Sequence, residues 1–220
     1  MTLRARTTIH EKSFSLGGFA PLYSNAANFG ITTDEADNYR FPQPTRCIIK
    51  RVLAGKYLFT YLKQPSESSS YIVSLRNHIA VVELHNERLF FRMNRLAFFE
   101  ECLELSTTCN MQVPWLCSES PFIACVTGSG RVGIELEAGG DALDSESQSA
   151  APLKVKLPRL AAWSSDTRLQ LEVEPGYLNA ALMAEATAVV CHSSLVISSN
   201  GDGGRGSWEV PMRALRFLMP

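Results

Sequence analysis

Few of the usual carriers of chemistry occur in this 220-residue chain. There are four histidines, at positions 10, 78, 85 and 192, and no two of them share a motif. Cys191 and His192 are adjacent, but neighbours on a strand point to opposite faces, so they make no dyad. Neither a GxSxG elbow nor a GK[ST] phosphate loop is present. The six cysteines, at 47, 102, 109, 117, 125 and 191, form no CxxC pair, and zinc ligands come in close pairs. Most of them sit in apolar strings and read as small buried hydrophobes. No apolar run approaches the ~20 residues that span a bilayer. The most apolar stretch, Leu178 to Cys191, is interrupted by Asn179 and Glu185. A net charge of −1 gives no bulk attraction to nucleic acid or anionic lipid.

What is present belongs to an ordinary globular chain: 45% apolar and 20% charged residues. That excludes wholesale disorder, a collagen-like repeat and a coiled coil. The charge is divided, however. Residues 1–100 carry 13 Lys/Arg against 8 Asp/Glu, and residues 101–220 carry 8 against 14. Such a split suits complementary halves or a bipolar surface seated in an assembly. The first residues, MTLRARTTIHEKSFSLGG, are basic, hydroxyl-rich and poor in acid, as mitochondrial presequences are.

Patterning predicts an all-β, mainly antiparallel fold. SYIVSL, NHIAVVEL, RLFFRM, FIACVT, RVGIELE, LKVKL and TRLQLEVE are short runs of period-two alternation. Turn formers separate them, and ELHNERLFF reads as a hairpin with His85, Asn86 and Glu87 at its tip. Residues 1–45 read as an extended arm, 46–200 as the β domain, and 201–220 as a linker and docking tail. Helix-like segments running into strands recur three times, with Leu58, Phe122 and Ala186 in matching places 64 residues apart. The repeat predicts three β-sandwich-like units with pseudo-threefold symmetry and short connecting helices.

Gly128, Gly130 and Gly133 spell the dinucleotide-binding GxGxxG. That chemistry needs a helix N-terminus behind the glycines, and here VGIELE alternates as a strand. A hairpin turn at Gly128-Ser129-Gly130 fits better, and no cofactor or metal is expected. The carboxylate pairs Glu100/Glu101, Glu135/Glu137 and Glu172/Glu174 read as structural, with Glu135 and Glu137 on a solvated face. Arg88, Arg92 and Arg95 alternate with Phe90, Phe91 and Met93. Basic and aromatic interleaving is what an RNA-binding sheet edge carries, although a strand with apolar residues inward and Arg outward gives the same pattern. In the tail, Arg213, Arg216 and Phe217 are the candidates for docking to a partner.

The ordered segments KRVLAGKYLF, SYIVSLRNHIAVVELHNERLFF, LAFFEECLELSTT, FIACVTGSGRVGIELEAGG, LPRLAAWSSDTRLQLEVEPG and AALMAEATAVVC resemble the Altered Inheritance of Mitochondria protein twenty-four family over roughly residues 46–200. The resemblance implies a fold like the tryptophan RNA-binding attenuation protein, no catalytic site, and an association with inner-membrane organisation. The chain departs from the family at turns: Gly55-Lys56 for Gly-Glu, Ala184-Glu185-Ala186 for a glycine-rich segment, and His192-Ser193-Ser194 for a glycine turn. The expectation is therefore a non-catalytic mitochondrial scaffold with protein partners in a large complex, at most peripheral to the membrane. The alternative is a subunit of a mitochondrial ribonucleoprotein such as the mitochondrial ribosome, touching RNA through Arg-rich edges.

Overall fold

The computed structural model describes residues 6–10, 13–15, 21–24, 29–32, 39–40, 60–62, 72–75, 77–109, 122–137, 139–144, 153–172, 187–192 and 195–200. Within them the chain is all-β and its strand pairs are antiparallel. The first strands are β1 (Arg6–His10), β2 (Ser13–Ser15), β3 (Leu22–Ser24), β4 (Phe29–Thr32), β5 (Tyr39–Arg40), β6 (Thr60–Leu62) and β7 (Ile72–Leu75). The middle of the chain forms β8 (His78–Arg92), β9 (Leu96–Glu100), β10 (Glu104–Cys109), β11 (Phe122–Leu136) and β12 (Gly140–Asp144). Last come β13 (Leu153–Lys156), β14 (Leu160–Ser164), β15 (Arg168–Glu172), β16 (Thr187–His192) and β17 (Leu195–Ser199). Every alternating run named above contains a strand. The helical elements among the described residues are two 3-10 turns, Met93–Arg95 and Leu157–Arg159. Most of each helix-like segment, and the whole 201–220 tail, lies outside the described residues.

An arm ending at residue 45 is not how the chain is organised. Five strands from residues 6–40 enter the sheets: β1 pairs β8, β2 and β4 pair β7, β3 pairs β6 and β9, and β5 pairs β6. The sequence hides them because Ser, Asn and Gly dominate that stretch while each strand has two to five residues, too short for alternation to register.

The same pairings recur along the chain. Tyr23 lies opposite Tyr61, Phe90 opposite Cys125, and Lys154 opposite Val189. Positions 61, 125 and 189 are spaced by the 64 residues of the sequence repeat. Likewise β5, β10 and β15 pair β6, β11 and β16. On the other side, β4, β9 and β14 pair β7, β11 and β17. The two 3-10 turns occupy equivalent places, each just before a strand that begins Leu-Ala.

The centre is a ribbon of the two 15-residue strands β8 and β11, paired along their whole length. Its two halves contribute to one core. Ala80, Val82 and Leu84 of β8 face that core, but so do Leu89 and Phe91, so the inward parity switches from even to odd. The switch has a cause in the register. Leu84 opposes Gly130 and Glu87 opposes Gly128, so β8 spends three steps where β11 spends two. One extra residue in a strand turns every later side chain to the other face. Asn86 at φ 58° takes up the bulge, and its N–H donates to the Ser129 hydroxyl at 2.8 Å. The expected hairpin tips at 85–87 and 128–130 are therefore corrected. Both turn signals are real, but they face each other in the middle of one bent ribbon.

A second core lies on the other side of the ribbon. There Phe90, Ile123, Trp163 and Val196 of the large sheet meet Val155, Ala188 and Val190 of the three-stranded sheet β13-β16-β15.

Gly133 is needed for a close approach: a Cβ there would lie 2.2 Å from the Phe98 ring. Substitution with alanine forces Phe98 off its rotamer or moves β9. Overpacking of this kind costs about 1–3 kcal/mol. Gly133→Ala is expected to lower the urea midpoint accordingly, with Phe98→Leu in the same chain recovering part of the loss.

Candidate functional site

The three arginines of the β8 segment do not form one exposed basic edge. Arg88 is exposed beside the bulge, and its carbonyl accepts the Ser165 N–H at 3.1 Å. Arg92 is 0% exposed, and its Nη2 donates to the Leu157 carbonyl at 2.5 Å. Arg95 is 3% exposed, with Nη1 3.6 Å from a Glu137 carboxylate oxygen. Arg88 and Arg92 do share a strand face, as predicted. That face is covered by the second core from Phe90 onward, so only its Arg88 end meets solvent. The sequence pattern of apolar inward and Arg outward presumes one buried face, and β8 has two. Arg213, Arg216 and Phe217 lie outside the described residues.

The glycine motif has a structural explanation. Gly128, Gly130 and Gly133 all belong to one continuous strand, with Leu136 at its end rather than a helix start. Gly130 takes φ +156°, and a Cβ on it would come within 2.7 Å of Cys102 Sγ and 3.0 Å of a Glu100 oxygen. The room a side chain would need is taken by the turn after β9.

That turn carries the best-defined polar cluster. Glu100 is buried, and one carboxylate oxygen accepts the Arg131 backbone N–H at 2.7 Å. The other accepts Arg131 Nε at 3.1 Å. The carbonyl of Glu100 takes the Leu103 N–H, and the Glu101 N–H reaches the Pro21 carbonyl at 2.7 Å. Glu100 thus clamps the strand immediately after the bulge. Cys102 stands beside it and is exposed, unlike the buried cysteine expected there, while Cys125 is buried. Partial burial pushes the Cys102 thiol up, and the Glu100 charge pushes it further. A thiol held protonated is a poor nucleophile.

The second expected correction concerns Glu135. It is buried rather than solvated, and Asn77 Nδ2 donates to it at 2.5 Å. Its odd-numbered face of β11 is the one Phe98 covers at Gly133. Of the third carboxylate pair, Glu172 meets Lys154 Nζ at 2.6 Å in solvent, and Glu174 lies outside the described residues. Among the described residues no group of three or more His, Cys, Asp or Glu side chains is placed to hold a metal ion.

What remains accessible is the crest of the bent ribbon. Asn86, Arg88 and Ser129 are exposed there, His85, Glu87 and Arg131 half-buried, and the Ser165-Asp166 turn adjoins them. Ser164 fixes that turn. Its hydroxyl donates to the Asp166 carboxylate and accepts the Leu195 N–H at 3.2 Å. Burial raises the Glu87 carboxyl above its usual range, with His85 opposing the shift and Asp166 adding to it. The crest presents cationic and anionic groups a few residues apart, which suits a polar contact with a protein surface more than a phosphate backbone. Sequence reading missed this site because its two strands are 44 residues apart and only the ribbon register brings Glu87 to Gly128.

No protein-family model matches the chain, and no curated protein matches it in sequence. Its fold is similar to the X-ray crystal structure of protein SPYM3_0169 from Streptococcus pyogenes. The TM-score is 0.60 at 11% identity, and the match covers 98% of this chain and 100% of that one. At such identity the likeness concerns the fold alone. No helix among the described residues is long and apolar enough to cross a membrane.

Two measurements check the electrostatics of this region. Glu100→Gln removes the charge from the Arg131 clamp while keeping the shape. The expected loss is about 1–3 kcal/mol of unfolding free energy, the range for a charge-assisted hydrogen bond. Glu87 behaves in the opposite sense. A carboxyl raised by folding stabilises fully below its unfolded value, and the benefit is lost as pH rises through the folded value. Glu87→Gln should therefore leave the melting temperature unchanged at acid pH and raise it slightly at neutral pH.

Proposed function

We propose that this chain is a non-catalytic scaffold that docks into a large protein assembly through the crest of its bent ribbon. The observation that carries the reading is how the reactive groups are engaged. Glu100 is committed to Arg131, Cys102 is held as a thiol, and Arg92 is tied to a backbone carbonyl. The crest, by contrast, leaves Arg88 and Asn86 in solvent beside Glu87. In this reading the repeated pairings correspond to three sandwich-like units about a pseudo-threefold axis, an arrangement that supports a rigid platform. The mitochondrial setting rests on the basic, hydroxyl-rich N-terminus and on the family resemblance, which also supports a location peripheral to the inner membrane.

The ribonucleoprotein alternative draws less support from the geometry, because burial of Arg92 and Arg95 leaves Arg88 alone on that edge. Fractionation separates the two. Tagged full-length protein from mitochondrial lysate is expected to sediment with a large complex before and after RNase, and to lose that position with Arg88→Glu. Sedimentation at the mass of the free chain would overturn the scaffold reading. A shift on RNase treatment would replace it with the RNA reading.

A further inference from the structure

The repeated units are joined to one another by a rule. The strand that precedes a 3-10 turn, or its counterpart, pairs with the Leu-Ala strand of the next unit. Thus β3 pairs β9, with Tyr23 opposite Phe99, and β8 pairs β14, with Phe90 opposite Trp163. Both joints are closed by an aromatic stack: Tyr23 on Phe99 at 5.1 Å between centroids, and Phe90 on Trp163 at 6.2 Å. Tyr23 and Phe90 hold equivalent positions, fixed by their partners Tyr61 and Cys125. The third holder of that position, opposite Val189, is Lys154. It is turned to solvent and paired with Glu172.

The third joint is the one that is not made. By the rule it would join β13 to β4. Among the described residues β13 hydrogen-bonds to β16 alone and β4 to β7 alone, and the sheets they edge are separate. Each therefore offers an unpaired row of backbone donors and acceptors.

We propose that these two edges are an interface between copies of this chain, with β13 of one copy pairing β4 of a second. The occupant follows from the joints themselves, since a strand of the β3/β8/β13 class takes one of the β4/β9/β14 class. Closure within one chain would benefit from a high effective concentration of the tethered edges. That they remain unpaired in the folded chain means the fold holds them apart, a restraint a second copy does not share. Such a contact is heterologous, so it gives rings or open chains rather than a simple two-fold pair. Lys154 and Lys156, both exposed on β13, moderate it as edge lysines do.

The test is sedimentation velocity of the full chain over a hundredfold concentration range, with carbodiimide cross-linking of mixed ¹⁴N- and ¹⁵N-labelled protein. Association that grows with concentration is expected, with mixed-isotope links from Lys154 or Lys156 to Asp34 or Glu35, the carboxylates that follow β4 in sequence. Lys154→Phe, an exposed position that folding does not depend on, should tighten association by up to about tenfold, the order of one aromatic contact. A monomer at every concentration would overturn the proposal. So would links confined to single chains, which would mean internal closure, or mixed-isotope links that map to another surface.

Discussion

One extra residue in β8 governs much of this molecule. Without it, an antiparallel ribbon of two 15-residue strands would bury one set of faces at one end and expose the same set at the other. With it, Leu84 and Leu89 both turn inward, and the two halves of the ribbon share a core with β9, β10, β14 and β17. The bulge is supported by a hydroxyl on a backbone N–H, by glycines that leave space for the neighbouring turn, and by a buried carboxylate gripping the next residue. Each support comes from a different part of the chain, so the bend is over-determined.

The same feature explains why the crest is exposed. A bulge leaves a residue without a ladder partner and opens the pleat, and here the opened side carries Asn86, Arg88 and Ser129. Charged side chains of both signs can gather there because water still reaches them. A few residues further along β8, at Arg92, a guanidinium survives burial with a carbonyl as its printed partner. Charge near the bend is cheap, and charge beyond it must be bound.

Much of the fold was legible because strands alternate and glycines punctuate. The runs from SYIVSL to TRLQLEVE are all strands, and the spacing of Leu58, Phe122 and Ala186 matches the spacing of the cross-strand partners Tyr61, Cys125 and Val189. The errors share a physical origin. LHNER and GSG carry the residues that bend a chain, and a bend within a ribbon uses the same residues as a reversal at its end. Arg92 and Glu135 were read as surface because alternation was taken to mean one wet face, whereas the ribbon is covered on both sides. The short strands of residues 6–40 are specified by their partners, not by their own pattern, and so could not be read locally. The crest was hidden for a related reason, since its halves come from β8 and β11.

Those early strands have a further consequence for synthesis. β3 leaves the ribosome well before β9, its partner across the joint, and β1 before β8. At ordinary elongation rates of ~5–20 residues per second, the wait for β9 lasts roughly 4–15 s. During that interval the nascent chain displays strand edges with nothing to satisfy them. Serine, asparagine and glycine in that stretch, which made it look like a loose arm, keep the waiting segment hydrated and poorly adhesive until the rest of the protein arrives.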